Sequence, residues 1–150
     1  MNRRAFYRLS HLPPRIAYAM GLGPLIGRLI LLLTTTGRKS GLTRVTPLQY
    51  EEIDGTIYVG SARGLKSDWV RNIQANPTVE VRVKSECFQG TAHIVTDPAR
   101  IADFLEVRLQ RHPWMITAIL RSNGVPTPPA HTDLEHYAVR STLVIITRGV

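Results

Sequence analysis

The chain has 150 residues, one cysteine, 43% hydrophobic residues and a formal net charge of +8 at pH 7. This length and apolar content support one folded domain and exclude a disulfide framework, a cysteine-rich metal site and a largely disordered chain. The positive balance favours anionic partners (phosphates, an acidic cofactor tail, nucleic acid or anionic lipid) without choosing among them.

The domain is expected to span 1–150, with residues 1–28 as a basic helical amino-terminal extension. Residues 3–20 are basic and amphipathic, and Pro13-Pro14 predicts a split into two short helices. The opening Asn2-Arg3-Arg4-Ala5-Phe6 is similar to a twin-arginine signal. However, Pro13, Pro14 and Arg15 interrupt the stretch that should become apolar. The later run from Leu25 to Leu33 contains Arg28 and is too short to cross a bilayer. The expectation is a cytoplasmic protein. Arg3, Arg4, Arg8 and Arg15 could also lie on an anionic membrane surface at its inner face. Packing of these helices on the barrel or on a second subunit is the preferred reading.

Ile30 to Thr35 reads as a buried strand, Gly37 to Gly41 as a turn, and Arg44 to Tyr50 as a second strand. Asp54-Gly55 predicts a hairpin turn into a strand over Thr56 to Gly60. A loop over Gly64 to Ser67 leads to a helix over 68–75, with Ser67 as its N-cap and Asn76-Pro77 as its stop. Val79, Val81 and Val83 alternate with charged residues, which marks a half-buried strand, and Phe88 to Val95 follows as another. Asp97-Pro98 starts a helix to about Gln110. Beyond His112-Pro113, Trp114 to Arg121 reads as helical, residues 123–132 as loop, and Leu143 to Thr147 as the last strand. About six strands with peripheral helices predict an α+β fold built on a small barrel.

Three segments could carry chemistry. In Thr34 to Arg44, a strand enters a turn with glycines at both ends, cations Arg38 and Lys39, the hydroxyl of Ser40, and then Arg44. Exposed amides with these charges would make a concavity for phosphate or several carboxylates; a solvated basic turn fits equally. In Tyr58 to Gly64, small residues at a strand end permit close approach of a flat ring, or mark a plain strand-to-loop passage. Trp69 and Asn72 lie three apart, on one helix face, where they could meet a ligand or anchor the helix. The five histidines show no metal-ligand spacing, His131 and His136 falling in a loop, and no metal is expected. No nucleophilic triad is present, and no catalytic side chain is nominated.

The run LLLTTTGRKSGLTRVTPL, then the region around YVGSARG, then W-x-x-N-I-x-A-N-P-x-V-x-V resembles the deazaflavin-dependent nitroreductase family over roughly residues 29–84. That resemblance implies a split β-barrel of the FMN-binding type and the deazaflavin coenzyme F420, which carries a phosphate and a polyglutamate tail. It implies that Arg38, Lys39 and Ser40 hold the phosphate and the start of the tail. Arg44 and the backbone of Val45, Thr46, Pro47, Leu48 and Gln49 would line the same groove. Gly60, Ser61, Ala62 and Arg63 would lie against the ring, and Asp68, Trp69, Val70, Arg71 and Asn72 would close the far side. Ala62 stands where many members carry a serine or asparagine, so a hydroxyl is missing there.

The resemblance further implies hydride transfer to an electron-poor small molecule such as a quinone, enone or nitroaromatic. Arg63 would favour developing negative charge, and solvent or Tyr137 would supply the proton. Barrels of this type often pair, so a homodimer is an open expectation. An FMN-binding reductase and a non-catalytic deazaflavin carrier are the alternatives. Nucleic-acid binding is suggested only by charge and lacks a stacking platform.

Overall fold

The computed structural model describes residues 30–149. The expected helices of the 1–28 extension, and the membrane-facing arginines placed on them, lie outside the described residues. Strand β1 (Ile30–Thr36) is aliphatic and β-branched, and Leu31, Leu32 and Leu33 are all buried. It pairs antiparallel with β2 (Thr43–Gln49) on one side and with β5 (Thr78–Val83) on the other. In β5 the predicted alternation holds, with Val79, Val81 and Val83 inward and Glu80 and Arg82 outward. Strands β6 (Glu86–Val95), β7 (Thr142–Arg148), β4 (Thr56–Ser61) and β3 (Glu51–Ile53) complete a seven-stranded antiparallel sheet. Its order is β2-β1-β5-β6-β7-β4-β3.

The single strand predicted over 44–50 is in fact the first arm of a bent one. β2 stops at Gln49, Tyr50 turns the chain, and Glu51 starts β3. Tyr50 is buried in the main core cluster, which anchors the bend. The two strands at opposite ends of the sheet order are therefore consecutive in the chain, and the sheet curls until they meet at one corner. This is the expected split barrel, with seven strands where six were counted. The predicted Asp54-Gly55 hairpin joins β3 to β4, with φ of 51° and 80° as a two-residue turn of this kind needs.

Helix α1 (Asp68–Ala75) follows a short 3-10 turn (Gly64–Lys66) and packs on β1 and β6. Its Trp69, Val70 and Ile73 join Leu31, Ile57, Val59 and Ile146 in the core. Each such aliphatic side chain contributes roughly 1.5–3 kcal/mol on burial. Ser67 occupies the N-cap position with extended backbone, but its side chain makes no cap bond. Its hydroxyl is turned instead to the Ser61 hydroxyl at 2.9 Å.

Helix α2 (Pro98–Arg111) begins as read from the sequence, with the Asp97 carboxylate accepting from the Ala99 amide at 3.1 Å. Its Ile101 and Phe104 pack on Val95 and Leu143, and Phe104 stacks on Tyr58 with ring centroids 5.7 Å apart. Helix α3 (Pro113–Ser122) and helix α4 (His131–Ala138) build a third apolar cluster on α2 through Ile116, Leu120 and Leu134. α4 starts inside the segment read as loop. Its start has no Ser, Thr, Asp or Asn cap; the Asp133 carboxylate reaches back to the Ala130 amide at 2.9 Å. Pro126, Pro128 and Pro129 just before it dominate the sequence signal.

Two ion clusters tie these helices down. Glu51 is 4% exposed at the barrel corner. Its carboxylate meets the guanidinium groups of Arg108 and Arg111, each at 3.2 Å, and the His112 ring at 2.9 Å. His131, expected in a loop, is the first residue of α4 and faces Glu106 at 2.6 Å, Glu135 at 3.1 Å and Asp103 at 3.9 Å. Asp103, Glu106 and His131 are thus one surface group of metal-ligating types that spacing along the chain does not show. The hydrogen bond to Glu106 raises the His131 pKa above its ordinary value, and the charges of Glu106, Glu135 and Asp103 add to that.

Removing a buried charge partner costs several kcal/mol, less when its cations keep contact with water. Glu51→Gln is expected to lower unfolding stability by about 2 kcal/mol in denaturant titrations at neutral pH. A raised folded-state pKa means the charged imidazole stabilises fully below the unfolded value and ceases to do so as pH rises through the folded one. The thermal stability lost in His131→Ala should accordingly be largest below about pH 6.5 and shrink above it, and a pH-independent loss would refute the ion-pair account.

Candidate functional site

Residues 37–42 join β1 to β2 and rise beside the amino-terminal turn of α1. Between them lies a cleft of about 300 Å³. Gly37, Arg38, Lys39, Ser40, Arg44, Thr46, Asp68, Trp69 and Asn72 line it, so the strand-turn segment and the helix segment singled out in the sequence form one site. Arg44 and Thr46 alternate with Val45 and Pro47, which therefore face the other side of β2. Leu48 packs on the main core. Gln49 is exposed, and its side-chain oxygen accepts from Arg108 at 3.3 Å.

Asn72 holds the cleft together. It is 4% exposed. Its side-chain oxygen accepts from the Arg38 amide at 3.2 Å and from Arg38 Nη1 at 2.9 Å. Its side-chain nitrogen donates to the Thr35 hydroxyl at 3.3 Å. One carboxamide thereby joins β1, the hairpin and α1, and its two ends can be assigned because only this orientation satisfies all three bonds. Arg38 Nη2 meets Asp68 at 3.2 Å. Lys39 and Arg44 have no carboxylate partner among the described residues.

A concavity of exposed amides and a solvated basic turn fit the sequence of the hairpin equally, and the hairpin closes partly on itself. The Gly37 amide donates to the Leu42 carbonyl at 2.7 Å, Gly41 to the Gly37 carbonyl at 2.8 Å, and Leu42 to the Ser40 hydroxyl at 3.3 Å. With the Arg38 amide held by Asn72, these four amides are taken, and Arg38, Lys39 and Arg44 bring positive side chains to the cleft. Gly37 is needed for this tight loop: a Cβ there would lie 2.9 Å from Ser40 Oγ and 3.0 Å from the Leu42 carbonyl.

The second segment sits elsewhere. Ser61 is buried and its hydroxyl is bonded to Ser67; Gly60 faces Phe104 on the α2 side. Ala62 and Arg63 line a cavity of about 910 Å³ with Leu65, Lys66, Val139 and Arg140. Ala62 also lines a neighbouring one of about 580 Å³ with Val125, His136 and Tyr137. Thr142, on the wall of the larger cavity, has a buried hydroxyl with no hydrogen-bond partner. Burial pushes the Tyr137 pKa above its ordinary value, so its phenol stays protonated at neutral pH. Val70 is fully buried in the core, and Arg71 turns away to the Leu65 carbonyl at 3.0 Å, which steadies the 3-10 turn. Sequence reasoning missed Thr35, Val139 and Arg140. The first is one of three equivalent threonines, and the others lie in a stretch without a motif.

An antiparallel barrel closed at one corner, with a basic cleft under its first hairpin, is a split β-barrel. The chain belongs to the F420H(2)-dependent quinone reductase family, whose model matches residues 17–114. Coenzyme F420 is that family's cofactor. Among solved structures, an F420-H2-dependent reductase, FDR-A, is 23% identical with a TM-score of 0.54, over 80% of this chain and 95% of that one. A conserved hypothetical protein from Mycobacterium tuberculosis is 18% identical with a TM-score of 0.60, over 93% and 82%. A third, described as a domain-swapped dimer, is 22% identical with a TM-score of 0.54, over 89% and 94%. At these identities the structures speak for the fold alone. Among the described residues no helix is long and apolar enough to cross a membrane.

The cleft separates its structural residues from its free ones. Asn72→Ala leaves buried partners unsatisfied and is expected to lower stability by about 2 kcal/mol. Lys39→Ala and Arg44→Ala should each stay within about 0.5 kcal/mol of the parent in the same denaturant titration.

Proposed function

We propose that the cleft between the first hairpin and α1 holds the phosphate and acidic tail of coenzyme F420, and that the chain uses the reduced coenzyme to reduce a quinone or a similarly electron-poor enone or nitroaromatic. The observation that carries this reading is the pair of cations, Lys39 and Arg44, facing a cleft of about 300 Å³ without a carboxylate partner among the described residues. A phosphate and carboxylates are the groups that satisfy such cations, by short charge-assisted bonds. The three cations of the donor set suit a polyanion, and the Ser40 and Thr46 hydroxyls can add neutral hydrogen bonds to it.

In this reading Arg38, Lys39 and Arg44 bind, and Ser40 and Thr46 add hydroxyl contacts. Trp69 and Asn72 fix the wall. Bound, the reduced coenzyme supplies a hydride. The protein's part is to hold donor and acceptor in one orientation, which can remove several kcal/mol from a barrier. Ala62 and Arg63, which follow β4, border the cavities where an acceptor would sit. Arg63 there would favour negative charge developing on the acceptor. In this reading solvent or Tyr137, which stays protonated at neutral pH and lines the cavity beside Ala62, gives the proton. A homodimer accords with the domain-swapped assembly described for one structural neighbour.

The test is a fluorescence titration with oxidised coenzyme F420, run beside FMN, followed by acceptor turnover with the reduced coenzyme. Saturable binding of F420, weakened about tenfold by Lys39→Ala and by Arg44→Ala, is expected. Tight binding of FMN with none of F420 would overturn the assignment.

A further inference from the structure

We infer that Asp68 is a built-in competitor for the ligand's anion: its carboxylate occupies the Arg38 arm that the anion must take, so only ligands able to engage Lys39 and Arg44 as well displace it readily. This rests on the reading of the cleft as the coenzyme's anion site.

Arg38 has two arms with different neighbours. Nη1 is held by the buried Asn72 oxygen at 2.9 Å, with the Asp68 backbone carbonyl at 3.5 Å, and the Arg38 amide is held by the same Asn72 oxygen. These contacts fix where the guanidinium lies. Among the described residues, Nη2 meets only the Asp68 carboxylate, at 3.2 Å. The Asp68 side chain is 85% exposed, against 23% for Arg38. A pair of this kind exchanges readily with solvent and ions. Asp68 is therefore not required to orient Arg38; Asn72 does that from the buried side. What Asp68 does is place a carboxylate in a cleft whose other charged groups, Arg38, Lys39 and Arg44, are all cations. It is the sole carboxylate among the described lining residues.

Two roles for Asp68 have opposite signs. If it positions Arg38 for the ligand, its removal weakens anion binding. If it competes with the ligand, its removal strengthens binding. The geometry points to the second, because the positioning contacts come from elsewhere. A small anion that meets Arg38 alone gains little by exchanging one carboxylate partner for another. A polyanion that reaches Lys39 and Arg44 in the same event gains two new partners, so the competitor sharpens selection for extended polyanions.

The experiment compares the parent, Asp68→Asn, Arg38→Gln and the double variant in the full chain, by calorimetric titration with inorganic pyrophosphate and by fluorescence titration with oxidised coenzyme F420. Asp68→Asn is expected to bind pyrophosphate about 3- to 5-fold more tightly. In the Arg38→Gln background the same change should alter affinity less than about twofold, because the competed arm is gone. Thermal unfolding of each variant checks that the fold is retained. Equal or weaker pyrophosphate binding by Asp68→Asn overturns the competitor role, and leaves the coenzyme reading standing if the parent still binds F420. Tighter pyrophosphate binding by Asp68→Asn with no F420 binding by the parent keeps the competitor and removes the coenzyme reading. Absence of binding of both ligands to every form overturns both.

Discussion

The site depends on one buried carboxamide. Asn72 bonds to β1 through Thr35 and to the hairpin through the amide and guanidinium of Arg38, while its own helix is anchored in the core by Trp69, Val70 and Ile73. A polar group this deep is tolerated because both ends of it are hydrogen-bonded. That requirement locks the distance between hairpin and helix, and the distance is what makes a cleft. Moving either wall would orphan a buried donor or acceptor, so the geometry is set before any ligand arrives. Preorganisation of this kind keeps the ordering cost out of the binding step.

Charge in the cleft is divided by function. Arg38 is committed on its inner side to the fold and on its outer side to Asp68, while Lys39 and Arg44 have no carboxylate partner among the described residues. The net charge of +8 alone could suit DNA, lipid or a small polyanion. A narrow cleft with side chains from a hairpin, a strand and a helix suits the last of these best, since a duplex presents its phosphates along a broad surface.

Much of the barrel is legible in the sequence. The Leu31 to Leu33 run, the Val79-Val81-Val83 alternation and the Asp54-Gly55 turn each follow from local backbone and burial rules, and each stands where those rules put it. The clustering of Arg38, Lys39, Ser40 and Arg44 with Asp68, Trp69 and Asn72 was reachable only by combining two segments thirty residues apart, which motif order supplied and periodicity could not. What stayed hidden is tertiary. Nothing local says that Glu51 is buried and Glu52 beside it is not, because the partners of Glu51 arrive on α2, 57 and 60 residues later. Nothing local marks the start of α4, whose cap is an aspartate inside its own first turn. Which hairpin amides stay open is tertiary too, since glycine freedom permits free amides but hairpin closure takes those of Gly37, Gly41 and Leu42.

The corner at Tyr50 bears on how two copies could meet. Open sheets aggregate through long, unpaired rims, and this one offers little rim. One border strand, β3, is three residues long, and the other, β2, carries Pro47 at its middle, where no amide is available to donate. Among the described residues, edge-to-edge extension into a continuous intermolecular sheet is therefore disfavoured at one border by length and at the other by a missing donor. Contacts through helical faces would not set off runaway strand stacking.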